Sequence, residues 1–511
     1  MSGLSWMVLF SLVSHLLFGS NMNQFGFMRR VETVEKKIQI KQPKKNESRY
    51  FYVSFDVPEN ASRITITYAY DTASGANAID LGVFDSRFSG RDDDPKGFRG
   101  WSGGKRSSIF VARDDATPGY VAGEIPSGNW QVILGLYKVT PAGVEVSLKI
   151  DVETEMPSSN QEKMVQGKRN TETQSVPCLL NKQGGSLCWY RGDLHAHTVY
   201  SDGDWTIEEI LTTAKREGLD FISITDHNTY SHHAALARLP ASFNGPLVLR
   251  GEEVTTYGGH FNALGLPFEA WVDFRVAAKN FEGISKLAKQ IHQLGALTSV
   301  NHPFALCDGC NWSYERDAKD FDAMEVWNGS WDATDEIALK WWDALLQKGR
   351  HLTALGSSDT HRQTNPPGQP TTHVGASRLN ERAILTSISE GRVYVTDEPS
   401  PVNLSFTAKK ESLKIIYQIG DVIKIKKHSK IELEFSADNL PRSSNVVLWS
   451  NGKELKRFAV EKEAFSKLMS FDIDSDQYFR IEIRNANGTM LAFTNPIYVD
   501  IGSNFNDQRN K

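Results

Sequence analysis

The sequence predicts a barrel-like α/β core over about residues 190 to 400, set between two β-rich flanks. Three observations lead there. Short apolar, β-rich segments alternate with amphipathic helices across the core, the pattern of a parallel sheet with helical crossovers. Histidine, aspartate and glutamate follow those strands at once, which is where β/α barrels build their active sites. Outside the core, strands of alternating polarity recur between Gly, Pro and Asp turns without helices, the pattern of β-sandwiches.

The elements of the core follow in order. A short apolar segment runs through Arg191-Gly192-Asp193 to His195 and His197. Residues i and i+2 of a strand point to one face, so both imidazoles can address one point. Asp202 follows in a Ser-Asp-Gly turn. Thr206 and Glu209 have capping-box spacing, and Gly218 is the stop of the helix between them. A second strand, Phe221 to Thr225, ends in Asp226 and His227. The strand Pro246 to Arg250 ends in Gly251-Glu252-Glu253, and Gly259-His260 opens the run HFNALGL. A second helix covers about Phe281 to Leu294 and stops at Gly295. Ala296 to Val300 ends in Asn301-His302-Pro303. A third helix, around Asp335 to Lys348, stops at Gly349. His351 to Leu355 leads through Gly356-Ser357-Ser358 to Asp359-Thr360-His361.

A lone histidine on a strand is ordinarily structural. Six of them at strand ends, together with three carboxylates, point instead to a divalent-metal centre. Imidazole and carboxylate suit Zn²⁺, Mn²⁺ and Fe²⁺ without selecting sharply among them. The other seven histidines read as ordinary. His15 lies in an apolar leader, His292 in a helix, His428 in a C-terminal β segment, and His351 begins a strand. His232 and His233 are expected at the surface, and His373 is a candidate to support a ligand. Arg191 and Arg362 flank predicted ligands. Either could hold a substrate phosphate bidentately, with a surface salt bridge as the ordinary alternative. Trp327, Trp331, Trp341 and Trp342 read as packing, although Trp327 ends a strand where it could border the site.

The segments GDLHAHT, SDG, TDHN, GEEVT, GH, NHP and SSDTH occur in this order. Over roughly residues 188 to 400 the chain resembles the PHP (polymerase and histidinol phosphatase) metal-dependent hydrolases. EVWNG (Glu325 to Gly329) and GRVYVT (Gly391 to Thr396) resemble the carbaryl-hydrolase-like branch of that family. The resemblance implies a distorted seven-stranded β/α barrel with two or three divalent ions (Mn, Zn or Fe). It implies that His195, His197 and Asp359 hold a first metal, and that Glu253 bridges it to a second completed by His260 and His302. Asp202, His227 and His361 would hold a third. Glu253 rather than Glu252 fits the family pattern, which turns Glu252 to the opposite side. The chemistry implied is in-line attack of a metal-bound hydroxide on a small-molecule phosphate ester, since divalent ions lower the pKa of water from about 15.7 to about 7. His361 or His302 would protonate the leaving group. Two other classes stay open: the same chemistry on a carbamate, amide or ester, and a non-catalytic secreted binding protein that retains metal.

Length and composition agree with a multidomain enzyme. A chain of 511 residues suggests about three domains. These are a sandwich over 45–152, the core over 188–400 and a second sandwich over 401–500, with a Ser/Gln/Lys-rich linker at 153–186. The net charge of −5 gives no reason to expect nucleic-acid binding. The apolar run Leu4 to Phe18, within a leader of residues 1–20, fits a signal-peptide core better than a spanning helix. It lacks a basic start, and a weak anchor or a wrongly chosen start codon are the alternatives. The expectation is a secreted or periplasmic protein, with a cytoplasmic one as the alternative. No other stretch is apolar enough to cross a bilayer. Cys178 with Cys188 and Cys307 with Cys310 would form two local disulfides in such a compartment. Sequons occur at Asn46, Asn60, Asn311, Asn328, Asn403 and Asn487.

Overall fold

The computed structural model describes residues 30–45, 47–92, 94–154, 178–180, 186–397, 402–410 and 415–501. The predicted leader (1–20), most of the predicted linker (153–186) and the sequon at Asn46 lie outside the described residues. The chain divides into two compact units, 1–165 and 166–511.

Among the described residues the first unit has eight strands: β1 (Arg30–Ile40), β2 (Tyr50–Val57), β3 (Ala61–Tyr70), β4 (Ala78–Phe84), β5 (Phe98–Gly103), β6 (Ser108–Ala112), β7 (Gly128–Lys138) and β8 (Val144–Thr154). They form two four-stranded sheets, in the orders β1-β8-β3-β6 and β2-β7-β4-β5. Strict alternation explains β8: Val144, Val146, Leu148, Ile150 and Val152 are buried and the residues between them face outward. With Ile64 and Ile66 from β3 and Trp130, Val132 and Leu134 from β7 they make one apolar core. β1 lies ahead of the predicted start at residue 45. It is an edge strand paired only to β8, and its run ETVEKK lacks the apolar face that marks a central strand.

The second unit opens with β9 (Cys178–Leu180) and β10 (Ser186–Asp193) and continues with α1 (Ile207–Arg216), β11 (Phe221–Ile224) and α2 (His232–Arg238). Next come β12 (Leu247–Thr256), β13 (Gly259–Leu264), α3 (Phe281–Gln293), β14 (Leu297–Val300), β15 (Ala323–Asn328) and α4 (Ala333–Gln347). β16 (Thr353–Ser357), β17 (Thr371–Ala376), α5 (Glu381–Ser389) and β18 (Val393–Thr396) complete the core. The predicted capping box of α1 forms, with Thr206 Oγ1 accepting from Glu209 N. Ile207, Ile210, Leu211 and Ala214, spaced by three and four, are its buried stripe.

Strands β10 to β16 follow one another in the sheet in chain order. The expectation of a parallel sheet is corrected at β13, which runs antiparallel to both β12 and β14. Only Tyr257 and Gly258 join β12 to β13, and two residues allow a hairpin but no parallel crossover. The other four strand pairings within this run are parallel ladders: β10–β11, β11–β12, β14–β15 and β15–β16. Beyond the strands, Asp359 N donates to His195 O (3.0 Å) and His197 N to Thr360 O (3.0 Å), bringing the end of β16 back to the end of β10. β17 and β18 extend the sheet antiparallel on the far side of β10.

The C-terminal region contributes β19 (Asn403–Lys410), β20 (Ile416–Gln418), β21 (Val422–Lys424), β22 (Ser429–Asp438), β23 (Asn445–Ser450), β24 (Lys453–Ala459), β25 (Phe465–Ile473), β26 (Gln477–Arg484), β27 (Met490–Thr494) and β28 (Ile497–Asp500). One sheet, β20-β19-β22-β25, stands by itself. The other is continuous with the core sheet, because β27 pairs antiparallel with β18. Asn495 strengthens the join. Its Oδ1 accepts from Ala354 N (2.8 Å), and its Nδ2 donates to Ala354 O (2.8 Å) and Val393 O (3.1 Å), so the side chain imitates a strand neighbour for β16. Buried Arg480 bonds Asp343 of α4 (2.8 Å) and Glu482 (2.6 Å). Cys307 and Cys310 form a disulfide, and Cys188 is disulfide-bonded. Among the described residues no helix is long and apolar enough to cross a membrane.

Replacing Asn495 by alanine takes the side-chain bonds from two buried backbone groups, Ala354 N and O, each loss costing about 1–3 kcal/mol, while Val393 O keeps its bond from Asn495 N. Denaturant unfolding of the full chain should show the second unit destabilised by roughly 2–4 kcal/mol. A loss under about 0.5 kcal/mol would mean that Asn495 does not carry the join.

Candidate metal centre

The nine predicted ligands meet at one end of the core sheet. His195 and His197 directly follow β10, Asp202 lies in the turn before α1, and His227 follows β11. Glu253 is on β12 and His260 on β13, His302 follows β14, and Asp359 and His361 follow β16. Glu253 is the hub. Its Oε1 lies 3.3 Å from His195 Nε2, 3.3 Å from His260 Nδ1 and 3.2 Å from His302 Nε2. Its Oε2 lies 2.6 Å from His227 Nδ1 and 3.5 Å from His197 Nε2. Asp359 Oδ1 sits 3.0 Å from His197 Nε2 and 3.3 Å from His195 Nε2. Asp202 Oδ1 sits 3.3 Å from His361 Nε2 and 3.5 Å from His227 Nε2.

Possible ligand atoms within this cluster form four overlapping groups: His197 with Asp202, His227 and His361; His195 with His197 and Asp359; His227 with Glu253 and His260; and His195 with His302 and Glu325. The centre has an inside and an outside. The side chains of His195, His197 and Glu253 are fully buried, whereas Asp202 is 43% and His361 27% exposed. The site therefore opens to solvent on the Asp202–His361 side.

Three loops at this rim adopt left-handed backbone at non-glycine residues: Asn228 (φ 54°), His302 (φ 24°) and Asp359 (φ 50°). Such conformations persist only where surrounding contacts over-determine them. Asn228 N donates to Glu253 O and Asn228 Nδ2 to Thr255 O, while Thr255 N donates to Asn228 Oδ1. Asp359 N bonds His195 O, and His302 N bonds the Glu325 carboxylate.

The donor set fits divalent cations. Glu253 Oε2, Asp359 Oδ1, His260 Nδ1 and His302 Nδ1 are buried without a hydrogen bond. His195 Nε2 and His197 Nε2 approach to 3.0 Å. Buried polar atoms are rarely left so. Converging lone pairs on nitrogen and oxygen are what borderline metal ions require. The charge balance agrees. Burial opposes ionisation of Glu253, yet His227, His195 and His260 hold it well below the usual carboxylate range. Asp359 is likewise held down, against its burial, by His195 and His197. Burial, with His361 and His227 alongside, lowers His197 to about 4, whereas Glu253 and Asp202 overcome burial and raise His227 to about 9.

Other predicted residues sort differently. The Arg191 guanidinium lies against Gly218 and beside Asp220, at the start of β11 and the opposite end of the strands from the ligands. Arg362 sits at the open rim and bonds Asp204 (2.7 Å). His232 and His233 are buried, which corrects the expectation of exposure. The short helix α2 that carries them packs inward, and His232 Nδ1 approaches Asp226 (3.4 Å). His373 bonds Thr396 Oγ1 (2.9 Å) and stacks on Tyr394. Glu252 turns away from Glu253 and accepts from Val272 N (3.0 Å). Trp327 and Trp342 are packing residues, fully buried beside Phe493.

Sequence reasoning missed a set of buried polar supports. Asp226 accepts from Thr198 N, Thr198 Oγ1 and Ser201 Oγ, each at 2.7 Å, and so shapes the loop from His197 to Asp202. Asp193 accepts from His195 N (3.2 Å) and Ser358 N (3.1 Å). Asn301 Nδ2 donates to Glu253 Oε1 (3.0 Å). Glu325 and Asn328 also face the centre. The available signal was a carboxylate or amide at or next to a strand end, adjoining a predicted ligand.

Fold and site together describe a cluster of histidines and carboxylates, able to hold metal, at the strand ends of an α/β sheet. Residues 193–339 match the sequence profile of the PHP domain. An uncharacterized protein of Methanocaldococcus jannaschii is 31% identical over 150 residues, which cover 27% of this chain and 81% of that protein. The chain belongs to the PHP-domain family. Among solved structures, a two-domain protein of Bacteroides vulgatus, described as containing a predicted PHP-like metal-dependent phosphoesterase, overlaps 65% of this chain and 100% of its own (TM-score 0.37, 19% identity). An amidohydrolase from Chromobacterium violaceum overlaps 35% of this chain and 89% of its own (TM-score 0.25, 17% identity). Overlaps this loose assign no activity; the family assignment rests on the sequence matches.

Burial lowers His373 to about 3, from an ordinary value of 6.5. The unfolded chain therefore takes up a proton first as the pH falls, so this residue's contribution is intact above pH 6.5 and is lost between pH 6.5 and about 3. In metal-free protein, His373→Gln should gain on wild type by about 2 kcal/mol between pH 7.5 and pH 5. Unfolding curves for both proteins at the two pH values measure it, and a parallel pH response would show that His373 is not held neutral.

Proposed function

We propose that this protein is a metal-dependent hydrolase that cleaves a small-molecule phosphate ester, with His195, His197, Asp202, His227, Glu253, His260, His302, Asp359 and His361 holding two or three divalent ions (Mn, Zn or Fe). The carrying observation is the Glu253 carboxylate ringed by five imidazoles, with ligand-capable atoms left unbonded around it. The chain-order run of seven strands, with its ends drawn together at His195–Thr360, supports reading the scaffold as a distorted seven-stranded β/α barrel. When bound, the ions supply a water activated near neutral pH and offset charge on the phosphate oxygens.

The protein's own groups supply the rest. Substrate arrives on the open side, past Asp202 and His361. His361 Nδ1 is fixed by Asp359 O (2.8 Å), which orients the ring at that opening. We assign it, ahead of the more enclosed His302, to protonate the leaving group from Nε2 when two ions are held, since with a third ion that nitrogen would be a ligand and carry no proton. Arg362, exposed one residue further on, can exchange Asp204 for a substrate anion. Arg191 is too committed at the far end of the strands for that role. The disulfides at Cys307–Cys310 and Cys188 support an extracytoplasmic location.

Metal-stripped protein reloaded with Mn²⁺ or Zn²⁺ should hydrolyse p-nitrophenyl phosphate or its bis-ester. His195→Ala or Asp359→Ala should lower kcat/KM by more than about 100-fold, since even residues that merely support ligands are worth 10–100-fold, with circular dichroism unchanged. Turnover of an aryl carbamate without phosphate turnover would transfer the same centre to carbonyl hydrolysis. Metal uptake with no turnover on either panel would mean a binding protein.

A further inference from the structure

Glu325 is a buried carboxylate in the middle of β15, and none of the assigned ligand positions includes it. Its Oε1 accepts from His195 Nδ1 at 2.8 Å. Its Oε2 accepts from His302 N (2.9 Å) and from Asn328 Nδ2 (3.0 Å). The Asn328 amide in turn reaches Asp359 Oδ2 at 3.5 Å. One carboxylate thus touches the side chain of His195, the backbone of His302 and, through Asn328, the side chain of Asp359.

We propose that Glu325 is a positioning residue that organises three ligands at once. Each contact does separate work. A carboxylate can only accept, so its bond to Nδ1 places the His195 proton there and leaves Nε2, which faces Glu253 and Asp359, with its lone pair free. The bond from His302 N offsets the strain of a left-handed residue, φ 24°, and holds its ring toward Glu253. The Asn328 amide aligns Asp359, itself left-handed at φ 50°. Both Oε2 contacts come from N–H donors and Oε1 is taken by His195, so Glu325 acts through other residues and is not a ligand.

The inference rests on reading the site as a divalent-metal centre, and Glu325→Gln tests it in the full chain. The amide keeps the size of the side chain. However it is turned, it sets an NH₂ either against His302 N and Asn328 Nδ2, both donors, or against His195 Nδ1, where it favours the wrong tautomer. Zn²⁺ or Mn²⁺ affinity is measured by competition with a chelator, stoichiometry by elemental analysis, and stability of the metal-free protein by thermal unfolding. We expect the affinity to fall about 10–100-fold, the number of ions bound at saturation to stay the same, the metal-free unfolding temperature to stay within about 3 °C, and excess metal to restore most of kcat with KM little changed. Unchanged affinity, or a large drop in metal-free stability without a drop in affinity, overturns the positioning role. Loss of one bound ion at saturation also overturns it and makes Glu325 a ligand. Should this variant fail to fold, Asn328→Ala removes the link to Asp359, and unchanged affinity there overturns the proposal equally. Wild-type protein that takes up no metal sinks the metal-centre reading itself, which is a separate outcome.

Discussion

A fully buried carboxylate surrounded by five imidazoles is the constraint on which the second unit depends. Glu253 is fully buried, and its Oε2 and the facing His260 Nδ1 are left without a hydrogen bond. An isolated buried carboxylate is costly unless paired or coordinated. Cations or protonated imidazoles must therefore share the cavity, in keeping with the Glu253 and Asp202 carboxylates raising His227 against its burial. The hairpin β12–β13 follows from the same requirement. It interrupts the parallel run and places Glu253 and His260 on adjacent strands, where their side chains meet.

Around that hub the scaffold resists relaxation. Left-handed turns at Asn228, His302 and Asp359 aim groups inward, and each is pinned by hydrogen bonds from its neighbours. The C-terminal strands belong to the same mechanical system. β27 continues the core sheet through β18, and Asn495 supplies the missing neighbour of β16, the strand that leads to Asp359 and His361. Arg480, buried between Asp343 and Glu482, ties α4 to the same strands. Separating this region from the core would expose a sheet edge and strand buried charge.

Much of this was legible in the sequence because its signals are local. The Thr206–Glu209 box, the glycine stops and the i, i+2 pair His195–His197 depend on spacing alone. What escaped reading depends on tertiary neighbours. Nothing local distinguishes Glu325, which lies among apolar residues of β15, from an outward-facing carboxylate. Asn495 looks like one more loop residue before Pro496. His232 and His233 look like surface residues in a polar loop, yet α2 folds them inward. Arg191, adjacent to the ligand motif, points away because Gly218 leaves room for its guanidinium and Asp220 draws it. The antiparallel placement of β13 shows in the sequence only as the two-residue spacing Tyr257-Gly258, too short for a helical crossover.

The most direct measurement is a titration of chelator-stripped protein with Zn²⁺ or Mn²⁺, followed by elemental analysis and by thermal unfolding of the second unit. A buried, cation-requiring Glu253 centre predicts uptake of two or three ions per chain with a rise in unfolding temperature of several degrees, and loss of that rise in Glu253→Gln. Stripped protein that binds no stoichiometric metal, or that melts at the same temperature with and without it, would contradict the centre at its root.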